Sequence, residues 1–159
     1  NSVVLAFKPE VGAHTQPTDV STHSPLAHKT QSSTLYFSDP KQFEAACLSS
    51  VDKKAIFIDN LNLWYAQIYV SFLQKYSPEH AMEEAFAYAQ DLVEKILAQP
   101  RSCTLFFASA EVGAGLPPVK TTERFFRMGL GRFNQDLVTH KNMDLVYLVA
   151  GRNIVGSGL

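Results

Sequence analysis

Short runs of consecutive apolar residues alternate with stretches of helical spacing along this chain, and no other feature limits its fold as strongly. "VVLAF" (3–7), "TLYF" (34–37), "AIFID" (55–59), "CTLFFAS" (103–109) and "DLVYLVAG" (144–151) are the runs. Each is too short for a core helix and too continuous for a strand with one wet face, which suits strands buried on both faces of a parallel sheet. Between them the period changes. Leu61, Trp64, Ile68 and Phe72 recur at steps of three and four, the spacing of one helical stripe. "SDPKQFEAAC" starts a helix, with Ser38 or Asp39 as its cap and Pro40 in its first turn. Ser77-Pro78 opens a second, which runs to about Ala98 and stops at Pro100. A third spans about Thr121 to His140. The pattern predicts an α/β fold: a mostly parallel sheet with helices on both faces. Ligands of such sheets bind at the carboxyl ends of the strands. Asp59, Glu111 and Gly151 all lie close to those ends.

The 159 residues suit a single domain. Residues 8–33 interrupt the pattern with Pro9, Pro17, Pro25, many Thr, Ser and His, and few large apolar side chains. They read as a long loop, a kind that in compact domains is often functional. Asn1 rather than Met comes first, and "NSVVLAF" is already a strand, so a segment is expected upstream. A net charge of −1 gives no general attraction to nucleic acid or anionic membrane. No apolar run approaches the roughly 20 residues that cross a bilayer, and no signal peptide is visible. Cys47 and Cys103 lack metal-binding spacing. They read as two buried thiols in a reducing, cytoplasmic compartment.

Several residues carry chemistry. Asp59 ends a buried strand just where a helix starts. A carboxylate there can hold magnesium, a hard cation that prefers oxygen. On spacing alone it also reads as the N-cap of the next helix. In "EVGAG" (111–115), Gly113 and Gly115 let backbone approach a ligand. Glu111 can accept hydrogen bonds from a sugar hydroxyl or a cation. Arg124 and Arg127 are helical neighbours and suit bidentate contact with phosphate; a solvated helix face is the plainer reading. Gly129 and Gly131 lie inside the same helix, each at a cost of roughly 1 kcal/mol against Ala, which calls for close packing. His14, His23 and His28 sit in the long loop, where imidazole can serve as nucleophile or base.

The order of these pieces is similar to that of the adenosylcobinamide kinase/adenosylcobinamide-phosphate guanylyltransferase family. In "IDNLNLWYAQ", Asp59, Leu61, Leu63 and Trp64 match the segment after that family's magnesium-binding strand. "AEVGAGLPP" resembles its Asn-Glu-Val-Gly-x-Gly-x-x-Pro through Glu111, Val112, Gly113, Gly115 and Pro118. "RFFRMGLGRFNQDL" resembles its next helix through Arg124, Phe126, Arg127, Gly131, Asn134, Gln135 and Leu137. The likeness runs from about Ala55 to Val155. It implies a P-loop nucleotide-binding core and a homotrimer. It also implies phosphorylation of a corrinoid, adenosylcobinamide, by ATP or GTP. Transfer of a guanylyl group from GTP through a histidine would follow. Asp59 would be the acid associated with Mg2+, and His23, with His28 as fallback, the guanylylated histidine. Glu111, Gly113, Gly115, Arg124, Arg127 and Asn134 would bind nucleotide or substrate.

The chain departs from that pattern at polar positions. The family's Gly-x-x-x-x-Gly-Lys-Ser loop, whose N–H groups and lysine hold the β- and γ-phosphates, is not in these residues. Ala110 stands for Asn, Met128 for an acid, and Asn62 and Gln67 for Thr and Asn. The Arg-Pro expected after the histidine is missing. An enzyme whose phosphate loop lies upstream and a non-catalytic relative serving as a structural subunit both fit this pattern. A thymidine-kinase-like reading rests on "VLAFKPEVG" and "DVSTH", fits the later motifs poorly and lacks the zinc-binding cysteines.

Overall fold

The structure, a computed structural model, describes residues 2–8, 32–50, 53–100, 102–112, 115–140, 148–149 and 152–153. Its elements run β1 (Ser2–Phe7), β2 (Ser32–Phe37), α1 (Pro40–Ser49), β3 (Ala55–Asp59), α2 (Leu61–Leu73), α3 (Pro78–Ala98), β4 (Thr104–Phe107), α4 (Thr121–Thr139), β5 (Leu148–Val149) and β6 (Arg152–Asn153). The first four strands form one all-parallel sheet in the order β2-β1-β3-β4. This is the α/β sheet that the apolar runs predict, and it is consistent with a P-loop-like core.

The register fixes what each face carries. Leu5 pairs with Leu35 on one side and Ile58 on the other, and Ile58 pairs with Phe107. Side chains alternate along a strand, so Val3, Leu5, Phe7, Ile56 and Ile58 share one face, and all are buried. Helices α1 to α4 add Phe43, Trp64, Tyr65, Ala85, Ala89, Val93, Leu130 and Phe133 to the same core. Full burial of each large side chain contributes about 1.5–3 kcal/mol. Phe57 and Phe106 lie on the other face. Their rings stack at 4.3 Å, 6° from parallel, and they stay 39% and 45% exposed. The helices described here all belong to the first face.

The C-terminal run departs from expectation. Of "DLVYLVAG" the structure describes Leu148 and Val149, and these pair antiparallel with Arg152 and Asn153 rather than joining the parallel sheet.

Helix starts follow the sequence closely. Asp39 rather than Ser38 caps α1, accepting from the Lys41 N–H at 3.0 Å, with Pro40 next to it. Ser77 caps α3 by accepting from the His80 N–H, with Pro78 following. Each such cap stabilises its helix by about 1 kcal/mol.

Glu44 is the one charged group in the described core, 8% exposed. Its carboxylate accepts from Trp64 Nε1 at 3.3 Å, from the Tyr88 hydroxyl at 2.7 Å and from Lys41 Nζ at 3.3 Å. Lys41 also contacts the Tyr88 hydroxyl and lies over its ring. That hydrogen bond holds the Lys41 ammonium above its ordinary pKa, while burial raises the Tyr88 phenol. The network ties α1 to α2 and α3. Glu44→Gln keeps the shape but offers an amide N–H₂ where an acceptor is needed. It is expected to cost about 1–2 kcal/mol and lower the thermal midpoint by about 3–6 °C. An unchanged melting curve would show that the network contributes nothing.

Candidate functional site

The chain leaves β1 toward β2 on one side and leaves β3 toward β4 on the other. The carboxyl ends of β1 and β3 therefore flank the sheet's topological switch point, where open α/β sheets form their ligand crevice. Asp59 is the last residue of β3 and pairs with Ala6 of β1. The most strongly predicted carboxylate thus stands at that crevice, partly exposed.

Asp59 is not the cap of α2. That position belongs to Asn60, which adopts a left-handed conformation (φ 60°, ψ 36°) and makes no side-chain cap bond. Asn tolerates this region better than most residues with a Cβ. The left-handed turn folds the chain back at once. Ala108 then clamps both sides of it, its N–H donating to the Ile58 carbonyl at 2.9 Å and its carbonyl accepting from the Leu61 N–H at 3.1 Å. Asp59 Oδ1 accepts from the Asn60 N–H at 2.8 Å. Oδ2 accepts no hydrogen bond among the described residues. Among those residues no group of three or more His, Cys, Asp or Glu side chains is assembled for a metal. One carboxylate with an unengaged oxygen fits magnesium, which is usually held by one or two carboxylates, waters and the substrate's phosphates.

β4 leads through Ala108 into the segment that carries Glu111, so Asp59 and Glu111 lie at the same end of the sheet. This segment packs on α4 through its backbone. Asn134 Nδ2 donates to the Ala110 carbonyl at 3.0 Å, and Asn134 Oδ1 is buried without a hydrogen bond among the described residues. Arg127 donates to the carbonyls of Leu116 and Gly115, both at 3.0 Å. Arg124 Nε donates to the Pro118 carbonyl at 2.7 Å. The paired arginines, read from sequence as a phosphate clamp, hold this loop in place. Arg matches clustered carbonyls because its planar fork presents five donors. Tyr69 fixes the start of α4, its hydroxyl donating to the Thr122 carbonyl at 2.9 Å. The loop's apolar tip points outward, with Leu116 93% and Val119 87% exposed.

Between this loop and α4 lies a cavity of about 500 Å³. Glu111, Val112, Pro117 and Pro118 form one wall, and Arg124, Arg127, Met128, Gly131, Arg132 and Gln135 the other. The helix wall follows steps of three and four, a polar stripe opposite the buried Leu130, Phe133 and Leu137. The two helix glycines differ. A Cβ at Gly129 would lie 2.4 Å from the Tyr65 hydroxyl, whereas one at Gly131 would meet nothing within 4 Å. Close packing explains Gly129, and Gly131 leaves the cavity open. Gly115 is likewise uncrowded; its contribution is the carbonyl that Arg127 holds.

Arg132 escaped the sequence reading, although its place in that stripe was the available signal. His23, its fallback His28, His14 and Gly113 lie outside the described residues. Cys47 is buried and Cys103 partly exposed. No helix of the described residues is long and apolar enough to cross a membrane.

Comparison with known families adds one finding. Residues 27–155, more than half of the chain, match the family described as cobinamide kinase / cobinamide phosphate guanyltransferase. No curated protein matches the chain.

Proposed function

The chain belongs to the cobinamide kinase / cobinamide phosphate guanyltransferase family, a family of transferases of cobalamin biosynthesis, and on that premise we propose that it forms part of a nucleotide-dependent enzyme acting on adenosylcobinamide. In the first reaction, the hydroxyl of the corrinoid's aminopropanol arm takes the γ-phosphoryl group of ATP or GTP, and the nucleoside diphosphate leaves. In the second, a ring nitrogen of His23 takes the guanylyl group of GTP and pyrophosphate leaves. The corrinoid phosphate then displaces the histidine, forming a phosphoanhydride. His28 is the fallback acceptor.

The observation that carries this reading is Asp59 at the switch-point crevice, with Oδ2 unengaged among the described residues. Asp59 would hold Mg2+, which offsets the charge of the phosphate oxygens when bound. Glu111, Gly113, Gly115, Arg124, Arg127 and Asn134 are proposed as the nucleotide- and substrate-binding wall. Arg124, Arg127 and Asn134 act in it largely by fixing the loop's backbone. The phosphate loop itself is proposed to lie outside these residues. A homotrimer and a cytoplasmic location complete the proposal.

The test is calorimetric titration of GTP with magnesium into the complete protein. Saturable heat is expected, with half-saturation between about 1 μM and 1 mM. Silence above about 1 mM would instead favour a non-catalytic relative acting as a structural subunit.

A further inference from the structure

We propose that the groove between α2 and the start of α4 is an interface between copies of this chain, and that it receives the 116–119 tip of a second copy. This goes beyond the proposed function in naming the two surfaces, and rests on it only for the number of copies in the ring. The sequence of α2 already calls for a cover on its outer side. No residue from Asn60 to Gln74 carries a charge, and a helix apolar on all sides belongs in an interior. Leu61, Trp64, Tyr65, Ile68 and Tyr69 turn to the core. Leu63, Ala66, Val70 and Leu73 recur at steps of three and four and form a second stripe on the opposite side. Leu63 and Val70 in that stripe stay exposed. The stripe also walls a cavity of about 260 Å³, which Ala66, Tyr69, Val70 and Leu73 line from α2, and Glu123 and Phe126 from α4. Contiguous exposed apolar surface with a hollow in it marks an interaction site, unlike single surface leucines.

The matching knob is on the same chain. Leu116 and Val119 are the most exposed large apolar side chains among the described residues. Their backbone is nonetheless held. Arg127 binds the carbonyls of Gly115 and Leu116, Arg124 binds that of Pro118, and Pro117 and Pro118 fix φ between them. A tip formed in advance loses little freedom on docking. It leads directly into α4, yet neither side chain lines the groove of its own chain. Charge agrees with the pairing. Lys120 follows the tip and Glu123 stands on the groove wall. Within one chain the two approach to 3.6 Å on the surface, where such pairs are weak. A tip seated in the next copy carries its Lys120 toward that copy's Glu123, so opposite charges meet around an apolar centre. Two different patches make a heterologous contact, which closes into a ring where the rotation allows, and the homotrimer already proposed is such a ring.

The experiment is sedimentation velocity of the complete protein beside Leu116→Asp at the tip and Val70→Glu in the groove, with circular dichroism to check folding. The parent is expected to sediment as an oligomer at micromolar concentration. Each variant should weaken association at least about a hundredfold, because it sets a carboxylate in the apolar centre of the contact. Both positions are exposed within one copy, so the dissociated chains should stay folded. Cross-linking tests the pairing itself. In a Cys103→Ser background, co-expressed copies carrying Leu116→Cys and Val70→Cys should join through a disulfide on mild oxidation. Leu116→Cys with Leu97→Cys should not, since Leu97 lies at the end of α3 away from Pro78, whose carbonyl accepts from Tyr69 of the groove. A parent that stays monomeric at about 100 μM overturns the proposal. So does association unchanged in Leu116→Asp, which would leave a homotrimer standing with its interface elsewhere. A dimer that both charges dissociate would support the contact and refute the trimer. Since no nucleotide is titrated, a protein silent toward GTP can still assemble in this way, which keeps the result separate from the test of the family reading.

Discussion

Asp59→Asn is expected to abolish transfer to the corrinoid while leaving the protein folded. The substitution keeps the side chain's size, and Asn Oδ1 can still accept from the Asn60 N–H that Asp59 holds at 2.8 Å. The left-handed turn at Asn60 and the two Ala108 bonds that brace it are backbone features and stay. The thermal midpoint should therefore move by no more than a few degrees. What disappears is the negative charge at the crevice between β1 and β3. A magnesium ion accompanying the nucleotide would lose its protein carboxylate, and phosphoryl transfer depends almost wholly on positioning and charge stabilisation. A fall of at least about a thousandfold in kcat/KM is expected, equivalent to about 4 kcal/mol of transition-state stabilisation. Raising magnesium should restore part of the activity if the lost contact is to the ion. A variant that turns over within a few-fold of the parent would remove Asp59 from the chemistry and take with it the observation on which the proposed function stands.

The site of that experiment was legible in the sequence because a backbone pattern placed it. A continuous apolar run followed at once by helical spacing locates Asp59 at the carboxyl end of a buried strand. The observed strand order then puts that end at the switch point. The same logic recovers α3 from Ser77-Pro78 to Ala98 and α4 from Thr121 to Thr139, since their caps and stripes are local signals. Side-chain partnerships were not legible. Arg132 meets Glu83, and Lys41 meets Tyr88, across more than forty residues of chain. Nothing in local spacing says that Arg124 and Arg127 turn to the carbonyls of their own preceding loop. The cap at Asn60 was misplaced for a related reason. Asp is a good cap by composition, but Ala108, just past the end of β4, pins the turn, and the helix starts one residue on. The last strand is found where it is described, at Leu148–Val149, but its antiparallel partner was not legible, because an apolar run reports burial and not its partner.

Gly129→Ala should destabilise the fold even though alanine is the better helix former. The gain in helix propensity is about 1 kcal/mol. Against it, the new Cβ would sit 2.4 Å from the Tyr65 hydroxyl and 2.7 Å from Met82 Cγ, distances at which something must move. Met82 can shift its flexible chain. Tyr65 cannot, because it is fully buried and its ring stacks on Phe133 at 5.6 Å. With Tyr65 unable to move, overpacking falls at the upper end of its usual range, about 3 kcal/mol, and forcing α4 away from α2 and α3 would open a seam of the core. A net loss of about 2 kcal/mol is expected, read as a fall of about 4–8 °C in thermal midpoint. Tyr65 supplies the control. Its hydroxyl is buried with no hydrogen-bond partner among the described residues, and burial holds the phenol far above its ordinary pKa. Tyr65→Phe removes an unsatisfied polar atom and should be neutral or stabilising by up to about 1 kcal/mol. The same change removes the atom that the alanine methyl would strike. In the double variant the cost of Gly129→Ala should therefore fall by about half, a coupling of about 1 kcal/mol, as expected for residues in contact. Strict additivity of the two changes would mean that α4 does not approach α2 as closely as the 2.4 Å figure requires.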